Sequence, residues 1–235
     1  MVEFASFVGG VLPYAAAATF VVGMAYRFYV WFRTPQPAKI TLYLWPEGSM
    51  LRNLLGEVLF FPGLFKSDKI LWAMSWVFHV SLALVLVGHL RFFCALVDRG
   101  LTALGVSAAG IEQMSSLLGG AAGIVMLATA TSLIIRRQTV QRVREISTLP
   151  DYFALLLLVA IIATGDAMRF SSQHFDLTQT RVWAWSLLTF NPVVPQNSAF
   201  LVHVTLAQLL LMFIPFSKIL HWGGIFFTQA LMHTR

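Results

Sequence analysis

The sequence predicts an all-α integral membrane protein with five membrane-spanning helices, and three observations carry that prediction. Of its 235 residues, 58% are hydrophobic and only 11% are charged, with a mean hydropathy of +0.76. A soluble domain carries about a quarter charged residues, because even a well-filled core needs a polar skin. The apolar residues are gathered into charge-poor stretches of the length, about 20 residues, that crosses a hydrocarbon layer about 30 Å thick. The charges between these stretches fall unevenly on alternate sides. The net charge of +6 does not indicate a nucleic-acid binder, since the basic residues sit between apolar runs rather than along one stripe.

The spans lie at about 4–30, 70–93, 113–135, 152–170 and 199–222, one membrane domain over 1–235 with a cytoplasmic loop at 31–69. Only Met1-Val2-Glu3 precedes the first span and Arg27 and Arg33 follow it, so it reads as a retained helix and not a cleaved leader. In the loop, Leu51, Leu54, Leu55, Val58 and Leu59 recur at helical spacing. They predict a short interfacial helix ending before Pro62-Gly63, which either lies on lipid or offers a docking surface to a cytoplasmic partner. The fourth span carries Asp166 and Arg169 near its far end. Ahead of the fifth, Pro192, Pro195 and their small polar neighbours break the chain, and Asn197 or Ser198 is the expected N-cap.

Five spans place the termini on opposite sides, and the bias of Lys and Arg selects which. Twelve of the sixteen basic residues fall on one side: Arg27, Arg33, Lys39, Arg52, Lys66, Lys69, Arg136, Arg137, Arg142, Arg144, Lys218 and Arg235. Arg91, Arg99, Arg169 and Arg181 fall on the other. The N-terminus is therefore expected outside and the C-terminus in the cytoplasm.

Six histidines occur, and four of them lie within two spans: His79 and His89 in the second, His203 and His221 in the fifth. Ionisable groups at membrane depth are costly and mark function by default. The two spans run in opposite directions, so His79 is level with His221 near the cytoplasm and His89 with His203 near the outer face. Two cross-helix pairs, one in each leaflet, suit two stacked b-type haems with these four histidines as iron ligands. The spacing is uneven, since ten residues rise about 15 Å and eighteen about 27 Å in a straight helix. Tilt and a kink at Pro215 must absorb the difference. Gly88 and the helix-three glycines Gly119, Gly120 and Gly123 either admit a macrocycle or serve plain helix packing. Arg136 and Arg137 either neutralise haem propionates or are ordinary positive-inside residues. With Cys94 as the lone cysteine, neither an internal disulfide nor an iron–sulfur cluster can be built from this chain alone.

Phe78-His79, Gly88-His89, Leu201-Val202-His203 and Ile219-Leu220-His221 together resemble the gamma-subunit family of respiratory nitrate reductase, the di-haem cytochromes b. The resemblance implies the same crosswise pairing, two haem b groups, a quinone (menaquinone by family) and a prokaryotic inner-membrane location. The long first loop and the Leu149-Pro150-Asp151-Tyr152-Phe153 entry to helix four are more similar to the sulfur-metabolism branch. That branch holds the membrane cytochromes b of the Dsr and Tmc complexes and of heterodisulfide reductase, and implies anaerobic respiration. Its expected partner is a cytoplasmic iron–sulfur protein of heterodisulfide-reductase type, with further membrane and periplasmic redox subunits. Where the nitrate reductase subunit is expected to use a lysine in its quinol pocket, this chain has none between Lys69 and Lys218, and Arg91 or Arg99 stands in its place.

The reading is thus an electron-transfer subunit of an oxidoreductase complex. Quinone chemistry also moves protons, and Glu112, Asp166, His174 and Asp176 on the outer side are the candidate carriers. The rival is a proton-relay transporter using the intramembrane histidines, which leaves their pairing by depth unexplained. His233 reads as a surface residue.

Overall fold

A computed structural model describes residues 2–34, 49–171 and 177–225. Among the described residues the regular structure is helical, and five helices are long and apolar enough to cross a membrane: Glu3–Arg33, Lys69–Phe93, Ala108–Thr139, Leu149–Phe170 and Ser198–Phe216. We call them spans one to five. Their most apolar windows have mean hydropathy of 1.7 to 2.1, yet only 11 to 33% of the residues in each window are buried inside the molecule. Val21, Val22, Leu86, Leu117 and Leu156 are more than half exposed. So much outward apolar surface needs a hydrocarbon solvent.

The spans pack as an open arc. Span two lies on span three, three on four, four on five, and five on one. One core forms between spans two, three and four from Phe78, Met126, Ala130 and Ile162. A second joins span one to span five through Ala5, Val8, Trp183, Phe200 and Leu201. Spans two and five face each other without the close backbone packing of the other neighbours. Imidazole rings meet there instead.

Span two starts at Asp68, whose carboxylate accepts from the Leu71 N–H, and span four starts with a capping box between Thr148 and Asp151. Span five is capped by Asn197, whose side chain accepts from the Phe200 N–H at 3.0 Å. The expected helix in the first loop forms over Met50–Phe60, and a second short helix follows over Pro62–Ser67.

Three features depart from the sequence reading. Span five is not a continuous helix over 199–222: the α-helix ends at Phe213, short 3₁₀ turns cover Ile214–Phe216 and Lys218–Leu220, and Ser217 between them is extended. Pro215 cannot donate to the helical ladder, and the Arg27 guanidinium donates to its carbonyl at 2.7 Å. A further helix, Leu177–Leu188, occupies a region expected to lie outside helices. Span one contains a π-helical stretch, Phe7–Val11. There the Trp183 indole donates to the Gly9 carbonyl at 2.7 Å and the Gln208 amide to the Val8 carbonyl at 3.2 Å. These side chains satisfy carbonyls inside a widened turn.

Candidate functional site

The four intramembrane histidines come together in the two pairs that depth predicts. His79 and His221 have ring centroids 6.0 Å apart with planes at 86°; His89 and His203 are 6.4 Å apart with planes at 25°. The break in span five makes this possible. A straight helix would carry His221 about 27 Å from His203, whereas the chain turns at Pro215 and brings His221 back to the level of His79.

Every one of the four rings has Nδ1 occupied. His79 donates to the Ser75 carbonyl and His89 to the Val85 carbonyl, both one turn back at 2.7 Å. His221 donates to the Lys218 carbonyl at 3.0 Å. His203 donates across to the Thr164 hydroxyl of span four at 3.0 Å, and that hydroxyl is itself turned towards the carbonyls of Ala160 and Ile161, both at 2.9 Å. A proton fixed on Nδ1 leaves Nε2 with a free lone pair, the tautomer a metal requires. With a metal–nitrogen bond of about 2 Å, two imidazoles on opposite sides of one ion have centroids about 6 Å apart. Among the described residues no group of three or more metal-ligating side chains occurs. Each pair can offer an ion two nitrogen ligands, and any further ligands would come from a bound group.

The supporting residues include two that sequence reasoning missed. Thr164 orients His203, and a Cβ at Gly165 would stand 3.2 Å from the His203 ring, so Thr164-Gly165 seats this imidazole against span four. At the other pair, the Lys218 carbonyl holds His221 while its ammonium reaches the buried Asp151 carboxylate at 2.8 Å. That carboxylate also caps span four, so the His221 segment is fastened to the start of span four.

Other predicted residues are placed as follows. Gly119, Gly120 and Gly123 serve packing of span three on span four: added Cβ atoms would strike Arg169, Phe170 and the Asp166 carboxylate. Asp166 thus sits in a notch made by Gly123, and its Oδ2 is buried without a hydrogen-bond partner among the described residues. Gly88 has open space around it. At the His79/His221 end, Arg136 pairs with Asp68 at 2.7 Å and Arg137 donates to the Ser147 hydroxyl at 2.8 Å. The Leu71 N–H and the Arg136 guanidinium hold the Asp68 carboxyl below its ordinary range. At the His89/His203 end, Asp98 bridges Arg91 at 2.6 Å and Arg181 at 2.9 Å, and Arg91 also reaches the exposed Glu112 at 3.3 Å. Burial acts to raise the Asp98 carboxyl, but the Arg181 and Arg91 guanidiniums outweigh it and hold it below the ordinary range. His174, Asp176 and His233 lie outside the described residues.

This geometry defines a class: helical membrane proteins with five candidate spans and paired histidines facing across two of them. The chain belongs to the nitrate reductase gamma subunit family, whose profile matches residues 63–232, spans two to five with all four histidines. It is 33% identical to the Hdr-like menaquinol oxidoreductase cytochrome b-like subunit of Archaeoglobus fulgidus, over 94% of this chain and 78% of that protein. The counterpart in Archaeoglobus profundus is 28% identical, over 93% and 76%. The respiratory nitrate reductase 2 gamma chain of Escherichia coli is 29% identical, over 68% and 74%. The family match leaves span one and the Met50–Phe60 helix outside it.

Proposed function

We propose that this chain is the di-haem cytochrome b subunit of a quinone-linked respiratory complex in a prokaryotic inner membrane. It passes electrons between the quinone pool on the outer side and a cytoplasmic iron–sulfur partner. The facing of four imidazoles in two level pairs, each with Nδ1 hydrogen-bonded, is the observation that carries this reading. Two b-type haems, one on His79 and His221 and one on His89 and His203, would supply one-electron carriers at two depths.

The residues of the chain do the rest. At the His79/His221 end, Arg136 and Arg137 would exchange Asp68 and Ser147 for propionates. The N-terminus lies outside, because the basic-rich end, with Arg136, Arg137 and Lys218, faces the cytoplasm and the start of span one packs at the opposite end, beside Phe200 and Leu201. The partner docks there, and "Hdr-like" in the names of both Archaeoglobus relatives supports a heterodisulfide-reductase type of iron–sulfur protein. The same names support menaquinone. At the His89/His203 end, quinol must release protons, and Asp166 is the group we assign to take one, with Glu112 and His174 relaying it to the surface. Arg91, two residues beyond His89, supplies positive charge at that end.

A reduced-minus-oxidised spectrum and a pyridine haemochrome count test the assignment. Two b haems per chain are expected, falling to about one in His89→Ala. A folded preparation that binds no haem overturns it and moves the proton-relay reading to the front.

A further inference from the structure

Phe61 is the joint between the Met50–Phe60 and Pro62–Ser67 helices, and it holds a left-handed conformation, φ 49° and ψ 52°. Glycine is the ordinary occupant of such a joint, because a Cβ is strained there. The Phe61 ring instead stands edge-on to His79, with centroids 5.2 Å apart and planes at 78°. The joint is clamped from span two. The Trp72 indole donates to the Phe60 carbonyl at 2.7 Å and the Trp76 indole to the Leu59 carbonyl at 2.9 Å. These are last-turn carbonyls that a helix leaves unpaired. The two indoles stack at 6.0 Å, and Phe65 packs edge-on against Trp72. His79 is therefore bounded by Phe78 from its own helix and by Phe61 from the loop. The His89 ring has Phe92 of its own span beside it.

We propose that Phe61 is a positioning residue for the inner metal centre, fixing, together with the Nδ1–H···O bond to Ser75, the rotation of the His79 imidazole about Cβ–Cγ and keeping water from that side of the ring. The strained backbone is retained because a ring, not a hydrogen atom, is needed at this place. The inference rests on the di-haem reading. It concerns a device outside the family match, which begins at residue 63.

The test uses the full chain in its haem-loaded form, as Phe61→Ala, Phe61→Gly and Phe61→Tyr, with Trp72→Phe/Trp76→Phe as a second route that keeps Phe61 and removes the clamp. Redox potentiometry and low-spin EPR, whose largest g value follows the angle between the ligand planes, are the readouts. Alanine and glycine are expected to shift one haem's potential and g value in the same direction and leave the other haem in place. Tyrosine should restore both values, and the indole double variant should shift them part of the way. In a His89→Ala background the surviving haem should carry the whole change. Unchanged spectra in both Phe61→Ala and Phe61→Gly, equal shifts in both haems, or opposite effects of alanine and glycine overturn the proposal while the di-haem reading stands. A parent protein without two haems overturns that reading instead.

Discussion

Thr164 does two jobs with one oxygen. Its hydroxyl bonds back to its own helix, as a threonine in a membrane helix commonly does, and its lone pair receives the His203 Nδ1–H. Replacing it by valine keeps the shape and removes the acceptor, so the His203 ring loses its fixed tautomer and orientation. Loss of such an outer partner typically costs about 10- to 100-fold in metal affinity. Thr164→Val should therefore release the His89/His203 haem first, read as a fall towards one haem per chain on dilution. Equal retention of both haems would mean that Thr164 only packs. Asp166, two residues on, tests the other half of the site. Asp166→Asn keeps the fit against Gly123 and removes the proton acceptor, so quinol oxidation should slow by about 10²-fold with both haems intact. Unchanged turnover would take Asp166 out of the mechanism.

At the scale of elements, the break in span five matters most. Gly23 of span one leaves the space Pro215 occupies: a Cβ there would stand 2.7 Å from the Pro215 Cβ. Gly23→Ala should cost about 1–3 kcal/mol through overpacking, and the strain should fall on the turn that presents His221. A lower Tm with preferential loss of the His79/His221 haem is the expected result; an unchanged Tm would show that the turn can yield. The spans themselves were legible because hydropathy and charge spacing fix them without knowledge of packing. Asn197 was legible as a cap for the same local reason. The histidine pairing followed from counting depth. The form of the break did not, since Pro215 predicts a kink but not two 3₁₀ turns held by an arginine 188 positions away. Leu177–Leu188 escaped notice because its two buried residues, Thr180 and Trp183, leave little periodic signal, and Trp183 is buried by residues of spans one and five while the helix lies against span two. Thr164 and Gly165 were hidden because neither residue type is unusual within a membrane helix.

In the whole molecule, ion pairs lie at both ends of the helices, Asp68 with Arg136 and Asp151 with Lys218 at one end, Asp98 with Arg91 and Arg181 at the other. A carboxyl held below its unfolded pKa contributes stability that is fully present above that value, about 4, and is lost as the pH falls through the folded value. For Asp68 and Asp98, thermal melts of the detergent-solubilised protein should thus weaken as the pH falls below about 4. Asp98→Asn, which leaves Arg91 and Arg181 without their shared anion, should lower Tm at neutral pH and flatten part of that acid slope. A slope identical to the parent's would assign the acid loss to the other carboxylates. The open arc has a further meaning for biogenesis. Each close contact between two spans joins neighbours in the chain, apart from the one that lays span five on span one, and the Leu177–Leu188 helix packs against span two. Spans two to five can therefore pack in chain order, with span one joining on span five, while between spans two and five imidazole rings meet in place of close backbone packing. On the di-haem reading, cofactor loading is the closing act of maturation, entering a scaffold that its neighbour contacts have already built.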